Sequence, residues 1–358
     1  MNNLCNLLKI QCPIIQAPMI LQKPLIPLAT AVSISGGLGS LGCAEMSPSE
    51  IVSNVELFKS ATDQPFNLNF FLHEKPKHDE VIDNDTIKLL DSFYKEAGLS
   101  SFPNSKETPL GEFNDEILSL LVELKVPVVS FHFGAPKQHV VEALKASGSI
   151  ILATATTVSE AIKLEERGID VVVAQGWEAG GHRGSFSSNY EEVGIGTMAL
   201  VPQIADSVNL PVIAAGGIGD GRGIAAALAL GASGVQIGTA FLSCSETPIT
   251  PQYRSVLRDA SDEDTALTRA FSGRPCRGKR NRYLDTMSQY RQALPEFPTM
   301  YNFTSPLKQY GIENSSLDFQ FFLYGQTASL NREMSASKLI KLLIEETNEA
   351  IKIPSIGA

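Results

Sequence analysis

Residues 212–239 read VIAAGGIGDGRGIAAALALGASGVQIGT. The apolar run Val212–Ala215 ends in Gly216-Gly217-Ile218-Gly219, the alanine-rich stretch Arg222–Leu230 follows, and a second apolar run, Val235–Ile237, ends in Gly238-Thr239. Continuous apolar blocks without polar alternation are the pattern of strands buried on both faces. Strand, helix and strand in so short a span make a parallel βαβ unit.

The same alternation extends towards the N-terminus. Further strand-like runs are Pro13–Ala17, Gly37–Leu41, Phe66–Phe71, Val126–Phe133, Ile150–Thr154 and Val171–Gln175. Helix starts lie between them. Ser47-Pro48-Ser49-Glu50 offers an N-cap, a first-turn proline and an early acid, and Thr157 to Glu160 has the spacing of a capping box. The wider interval around Ser185–Leu200 leaves room for one more strand and one helix. Eight alternations predict an α/β fold, a (β/α)8 TIM barrel; an open doubly wound sheet is the alternative.

Two stretches break the repeat. Residues 73–113 are polar and read as an insertion after the third strand, with a helical core near Thr86–Glu96. Residues 247–332, rich in Pro, Arg and aromatic side chains, read as a mostly helical appendage over the barrel mouth that covers the substrate. Ser335–Ile351 reads as an amphipathic closing helix. The expected division is therefore 1–246 for the barrel, 247–332 for the appendage and 333–358 for a C-terminal helix packing back on the barrel.

Composition narrows the function classes. Lys and Arg number 29 against 39 Asp and Glu, a formal net charge of −10, which argues against a nucleic-acid or anionic-membrane partner. Charged residues are 19% and hydrophobic residues 43% of the chain, as expected for a large core rather than a disordered chain. No run reaches the length of a membrane span, and the N-terminus lacks the pattern of a secretory signal. Five scattered cysteines without a C-x-x-C fit a reducing cytoplasm and free structural thiols. No spacing supports a metal site.

Chemistry in such a barrel belongs at the C-terminal ends of the strands. The glycines after Val212–Ala215 and after Val235–Ile237 let backbone approach a ligand closely, and loops at these two positions form the usual phosphate site of the fold. Gly37-Leu38-Gly39-Ser40-Leu41-Gly42 matches a dinucleotide fingerprint by letter only, because the fingerprint must follow a strand and open a helix. Asn67 and Asn69 share one face of their strand, and Asn69 is the ligand candidate. Gln175 is expected to aim its amide into the barrel. His182, between glycine pairs in Gly180-Gly181-His182-Arg183-Gly184, has the setting of an acid/base or anion-binding group. Glu178 and Arg183 read as a pair with each other or with solvent. His132, sharing a face with Ser130, is either a second polar group of the site or a satisfied inner-barrel residue.

Ile14-Ile15-Gln16-Ala17-Pro18-Met19, Phe66–Phe71, Ser130-Phe131-His132-Phe133-Gly134, Gln175–Gly184, Ala214–Gly219, Gln236–Thr239 and Phe271-Ser272-Gly273-Arg274-Pro275 occur in the order seen in the nitronate monooxygenases, once called 2-nitropropane dioxygenases, and the chain resembles that family from about residue 10 to 350. The resemblance implies a flavoprotein barrel holding FMN. Carried over, Ala17, Pro18 and Met19 lie against the flavin ring. Asn69 and Gln175 bond its polar edge or nearby groups, Gly180 and Gly181 approach with backbone, and Gly216, Gly217, Gln236, Ile237, Gly238 and Thr239 hold the phosphate. His182 matches the catalytic histidine, and His132, Tyr301 and Tyr324 are substrate-binding candidates.

The implied function is oxidative denitrification of alkyl nitronates, or of nitroalkanes, with O2, giving a carbonyl product and nitrite in nitroalkane detoxification. His182 binds the anion, with charge assistance if protonated. The expected partners are a small-molecule nitronate and O2, and the expected assembly is a monomer or homodimer. The alternative is an FMN-dependent enoyl-thioester reductase using NAD(P)H, for which the basic segment Arg274–Arg282 would dock an acidic carrier. A non-redox phosphate-binding barrel is the third reading.

Overall fold

The computed structural model describes residues 3–73, 84–100, 111–187 and 193–352. Its strands are β1 (Ile14–Gln16), β2 (Gly39–Gly42), β3 (Phe66–Phe71), β4 (Val128–His132), β5 (Ile150–Ala155), β6 (Val171–Gln175), β7 (Gly181–His182), β8 (Val212–Ala215), β9 (Gly234–Ile237), β10 (Thr265–Thr268) and β11 (Cys276–Lys279). Eight of them form one parallel sheet in the order β1-β9-β8-β6-β5-β4-β3-β2. A parallel bridge between Ile15 and Leu38 brings its two edges together, closing the (β/α)8 barrel.

The strands are apolar blocks because both faces are covered. All five residues of β6 are buried. Inside the barrel, Ile15, Val128, Leu152, Val171, Val173 and Ile213 meet Leu4, Cys5 and Leu8 of the first helix, Asn3–Leu8, which thus plugs the end of the barrel opposite its mouth. Outside, the helices bury their apolar faces on the sheet. The helix Pro48–Ala61 starts with the full capping box at Ser47 and Glu50. At Thr157 only half of the box forms: its side chain accepts from the Glu160 amide, while the Glu160 carboxylate turns elsewhere.

The closing helix, Ala336–Ile351, buries Leu339, Ile340 and Leu343 against the barrel's outer layer. Each such side chain contributes about 1.5–3 kcal/mol. Its approach to the helix Gly221–Ala229 is close: a Cβ at Gly221 would lie 2.3 Å from the Glu346 Cβ. The Gly37–Gly42 cluster serves packing too. A Cβ at Gly39 would run into the Ala29 backbone, and one at Gly37 would lie 2.7 Å from the Ile14 carbonyl oxygen.

The appendage is mostly helical, as expected, and adds two short strands. β10 and β11 are antiparallel, and β11 pairs with β7, setting Cys276 opposite His182. This small three-stranded sheet fastens the loop after β6 to the appendage. In the wider interval around Ser185–Leu200 the helix Thr197–Ala205 forms, but no strand does among the described residues; β7 precedes it and joins the small sheet instead. The insertion and the appendage also share a core: Leu90, Phe93 and Tyr94 of the helix Asn84–Glu96 pack with Phe271, Tyr283, Met287 and Phe319. The Tyr94 hydroxyl donates to the Phe303 carbonyl at 2.8 Å. Arg282 ion-pairs with both Glu96 and Asp318. The other residues of the expected insertion include stretches outside the described residues.

Candidate active site

A cavity of about 370 Å³ opens at the C-terminal ends of the barrel strands and continues under the appendage. Such sizes suit a small-molecule or cofactor site. Ala17, Pro18 and Met19 line it after β1, Asn69 and Phe71 from β3, Ser130 and His132 from β4, and Gln175 from β6. Gly180, Gly181 and His182 reach it from the loop after β6, Gly216 and Gly217 after β8, Gln236 from β9 and Gly238 and Thr239 after β9. Inward residues recur at every second position because strand side chains alternate.

One side of the cavity is built of backbone. Gly216 and Gly217 adopt φ of +100° and +70°, conformations that glycine takes without strain. Among the described residues, the amides of Gly216, Gly217 and Gly238 donate to no protein acceptor. Converging partnerless amides are an anion cradle. A Cβ at Gly238 would lie 3.4 Å from the Ala17 Cβ, so the loops after β1 and β9 run side by side. At Gly181, φ +74°, a Cβ would meet nothing within 4 Å. The cradle, this open glycine and the unengaged Gln236 amide fit a flavin mononucleotide's phosphate and ring.

The other side is aromatic. The His182 ring lies 5.7–5.9 Å from the rings of Phe71, Phe133 and Phe297, and 6.2 Å from that of Tyr301. Phe133 has φ +73°, a costly backbone for a bulky residue. The Arg274 guanidinium lies 4.0 Å over its ring, which faces His182. Burial, with His132 and Arg274 adding positive charge, pushes the His182 pKa down to about 3. His132 is pushed down to about 4 chiefly by burial. Burial thus favours the neutral form of both imidazoles, and an anion bound beside His182 would shift that ring back towards the charged form.

The hydrogen bonds assign roles. His132 Nε2 donates to the His182 carbonyl at 3.1 Å, which leaves Nδ1 to accept from Thr154 Oγ1 at 3.0 Å. His132 therefore lines the cavity with both ring nitrogens committed, as a satisfied inner-barrel residue. Gln175 donates to the same carbonyl at 3.0 Å and accepts from the Gly184 amide at 2.8 Å, so its amide fastens the His182 loop rather than aiming at a ligand. Asn69 donates to Ser130 Oγ at 2.9 Å. Glu160, fully buried, accepts from the amides of Thr156, Phe186 and Ser187 and from Thr156 Oγ1, which fixes the far end of that loop.

Three expectations need correction. Tyr324 does not line the cavity: its ring is fully buried against Leu242, Tyr253 and Phe322, because the chain must pass backbone-first beside Gly180. Ile237 turns its side chain into the outer core and contributes only its carbonyl, which accepts from the Ala17 amide. Glu178 and Arg183 do not pair by hydrogen bonds. The Glu178 carboxylate accepts from the Thr197 amide and hydroxyl, at the start of the helix Thr197–Ala205. Arg183 is buried over the Trp177 ring.

Sequence reading missed Phe297, Ser272, Gly325 and Lys308. Tyr301, Lys308 and Ile312 lie on one face of the helix Thr299–Glu313 and all line the cavity; their spacing was the available signal. Lys308 is the one Lys or Arg among the lining residues. Gly325 donates to Thr239 Oγ1 at 2.9 Å, strapping the appendage across the glycine cradle.

Barrel and cavity together define a (β/α)8-barrel enzyme with its reaction centre at the strands' C-terminal ends. A profile of the nitronate monooxygenase family matches residues 2–346. A nitronate monooxygenase of Pseudomonas aeruginosa is 42% identical over 344 residues, which cover 95% of this chain and 97% of that one. A probable nitronate monooxygenase of Bacillus subtilis is 38% identical over 351 residues, 97% and 99% of the two chains. Among solved structures, a nitroalkane oxidase from Streptomyces ansochromogenes superposes with a TM-score of 0.88 at 35% identity, covering 97% and 98% of the two chains. FabK from Thermotoga maritima does so with 0.77 at 29%, covering 98% and 97%. The chain belongs to the nitronate monooxygenase family, a group of flavin-dependent oxidoreductases.

Among the described residues, no helix is long and apolar enough to cross a membrane and no cluster of ligating side chains could hold a metal. All five cysteines are buried and free.

Proposed function

We propose that this protein oxidises alkyl nitronates with O2 to a carbonyl compound and nitrite, with FMN as its cofactor. The observation that carries the reading is a histidine, ringed by aromatic side chains, that lines the same cavity as the glycine cradle. FMN is favoured over a dinucleotide because the only dinucleotide-like glycine cluster, Gly37–Gly42, is consumed by packing.

Ala17–Met19 and Gly180–Gly181 would hold the flavin ring, and Gly216, Gly217, Gly238 and Thr239 its phosphate. Bound there, the flavin supplies the redox chemistry, taking electrons from the nitronate and delivering them to O2. The chain's own residues bind and orient. His182 meets the nitronate oxygens with a ring nitrogen. Phe71, Phe133 and Phe297 exclude water, which strengthens that hydrogen bond. Lys308 supplies positive potential for an anionic substrate. Detoxification of nitro compounds in the cytoplasm is the proposed setting.

The deciding experiment is nitrite release from a nitronate by the flavin-loaded protein, with His182→Asn as control. Turnover should fall by about 100-fold or more while flavin binding is kept. Equal turnover in the variant would remove His182 from the reaction.

The enoyl-thioester reductase reading has a specific observation against it. Of the basic segment 274–282, Arg274 lies on Phe133 and Arg277 donates to the Trp177 carbonyl. Lys279 pairs with Asp264, Arg280 with Asp285, and Arg282 with Glu96 and Asp318. Each of these cations already has a partner within the protein, which disfavours this segment as a dock for an acidic carrier. Rapid NADPH oxidation with a crotonyl-type thioester would restore that reading.

A further inference from the structure

His182 Nε2 lies 2.8 Å from the hydroxyl oxygen of Ser272. Ser272 is fully buried, in a turn held by the Gly273 amide donating to the Arg269 carbonyl and by Thr304 Oγ1 donating to the Phe271 carbonyl. Its oxygen accepts from the Arg274 amide at 3.4 Å. Its own proton has two destinations: the Arg274 carbonyl at 3.3 Å or His182 Nε2 at 2.8 Å. The nitrogen is the closer of the two and lies at an ordinary hydrogen-bond distance, so it is the better acceptor. A ring nitrogen that accepts a proton in a neutral imidazole leaves the other one protonated. Nδ1 makes no hydrogen bond among the described residues, and His182 lines the cavity.

We propose that Ser272 is the positioning residue that holds His182 in the Nδ1–H tautomer, so that an uncharged ring presents a donor, and no lone pair, to an anion bound in the cavity. Only the identity of that anion, a nitronate, rests on the proposed function. A donor without net charge suits a site walled by phenyl rings, where a buried cation would cost far more than a neutral N–H.

The test is 15N NMR of the imidazoles in the flavin-loaded protein at pH 6–8, with His182→Asn to assign the signals. The expected wild-type result is a proton on Nδ1 of His182 and none on Nε2. A proton on Nε2 would overturn the proposal without any variant being made. In Ser272→Ala the His182 signals should move towards the Nε2–H form, and Ser272→Thr, which keeps the hydroxyl, should restore Nδ1–H. An unchanged tautomer in a folded Ser272→Ala protein would equally overturn it. In turnover, Ser272→Ala should lose about tenfold in kcat/KM on nitronate, roughly the 1.4 kcal/mol of one hydrogen bond. An Nδ1–H tautomer in a protein that releases no nitrite would sustain the role of Ser272 and reject the nitronate reading instead.

Discussion

Acid should destabilise this protein through two histidines in particular. The ordinary histidine pKa is 6.5, and the fold lowers it to about 4 at His132 and about 3 at His182. As pH falls below 6.5, the unfolded chain takes up two protons that the folded one refuses. The unfolded state then binds more protons, so stability falls as pH falls. The loss is about 1.4 kcal/mol per pH unit for each group, and it ends once pH passes the folded pKa values. Near about pH 4.5 each histidine has removed roughly 2–3 kcal/mol and the pair roughly 5 kcal/mol, a large part of the 5–15 kcal/mol typical of domains. The assay is urea unfolding at a series of pH values from about 7.5 to 4.5, comparing wild type with His132→Asn, His182→Asn and the double variant. Carboxylates contribute to every curve and cancel in the differences. The wild type should lose about 5 kcal/mol more than the double variant over that range, and each single variant should recover about half. Parallel curves would refute the claim that burial holds both imidazoles neutral.

Three further outcomes follow from the site. Gly180→Ala would place a Cβ 2.5 Å from the Gly325 amide nitrogen; overpacking of about 1–3 kcal/mol should weaken flavin retention about tenfold or more, read by titration of the stripped protein. Glu160→Gln turns two N–H groups towards backbone donors that the carboxylate now satisfies, which should cost about 2–3 kcal/mol in urea unfolding and loosen the His182 loop. Lys308→Met should lower kcat/KM on a nitronate about tenfold while leaving flavin affinity intact, and the salt dependence of kcat/KM should flatten; unchanged kinetics would remove Lys308 from substrate binding.

The barrel was legible because both faces of its strands are covered. Phe66–Phe71 and Val171–Gln175 read correctly to the residue. Gly181–His182 was not legible as a strand: two residues carry no period, and their pairing comes from Cys276 and Arg277, far along the chain. The helix Thr299–Glu313 was missed because Pro306 sits inside it, and Lys308 was missed with it. Gly37–Gly42 shows the reverse case, a motif by letter whose glycines only let a helix and a loop pass close to β2. Tyr324 was misplaced because the family resemblance pointed to aromatic groups of the appendage without fixing which, while the wall facing His182 comes from Phe71, Phe133, Phe297 and Tyr301. The neutrality of His182 was out of reach, since it depends on the rings and the arginine that the fold gathers around it.

The cover over the cavity is one body made from two distant pieces of chain, with Leu90, Phe93 and Tyr94 in the same core as Phe271 and Tyr283. Substrate preference in this scaffold cannot be transplanted by exchanging the C-terminal segment alone. Such a chimera would set foreign side chains against the native helix Asn84–Glu96 and put the Arg282–Glu96 pair at risk. A working exchange has to move both pieces together, so recombination libraries on this barrel should place crossovers on either side of each and never between them.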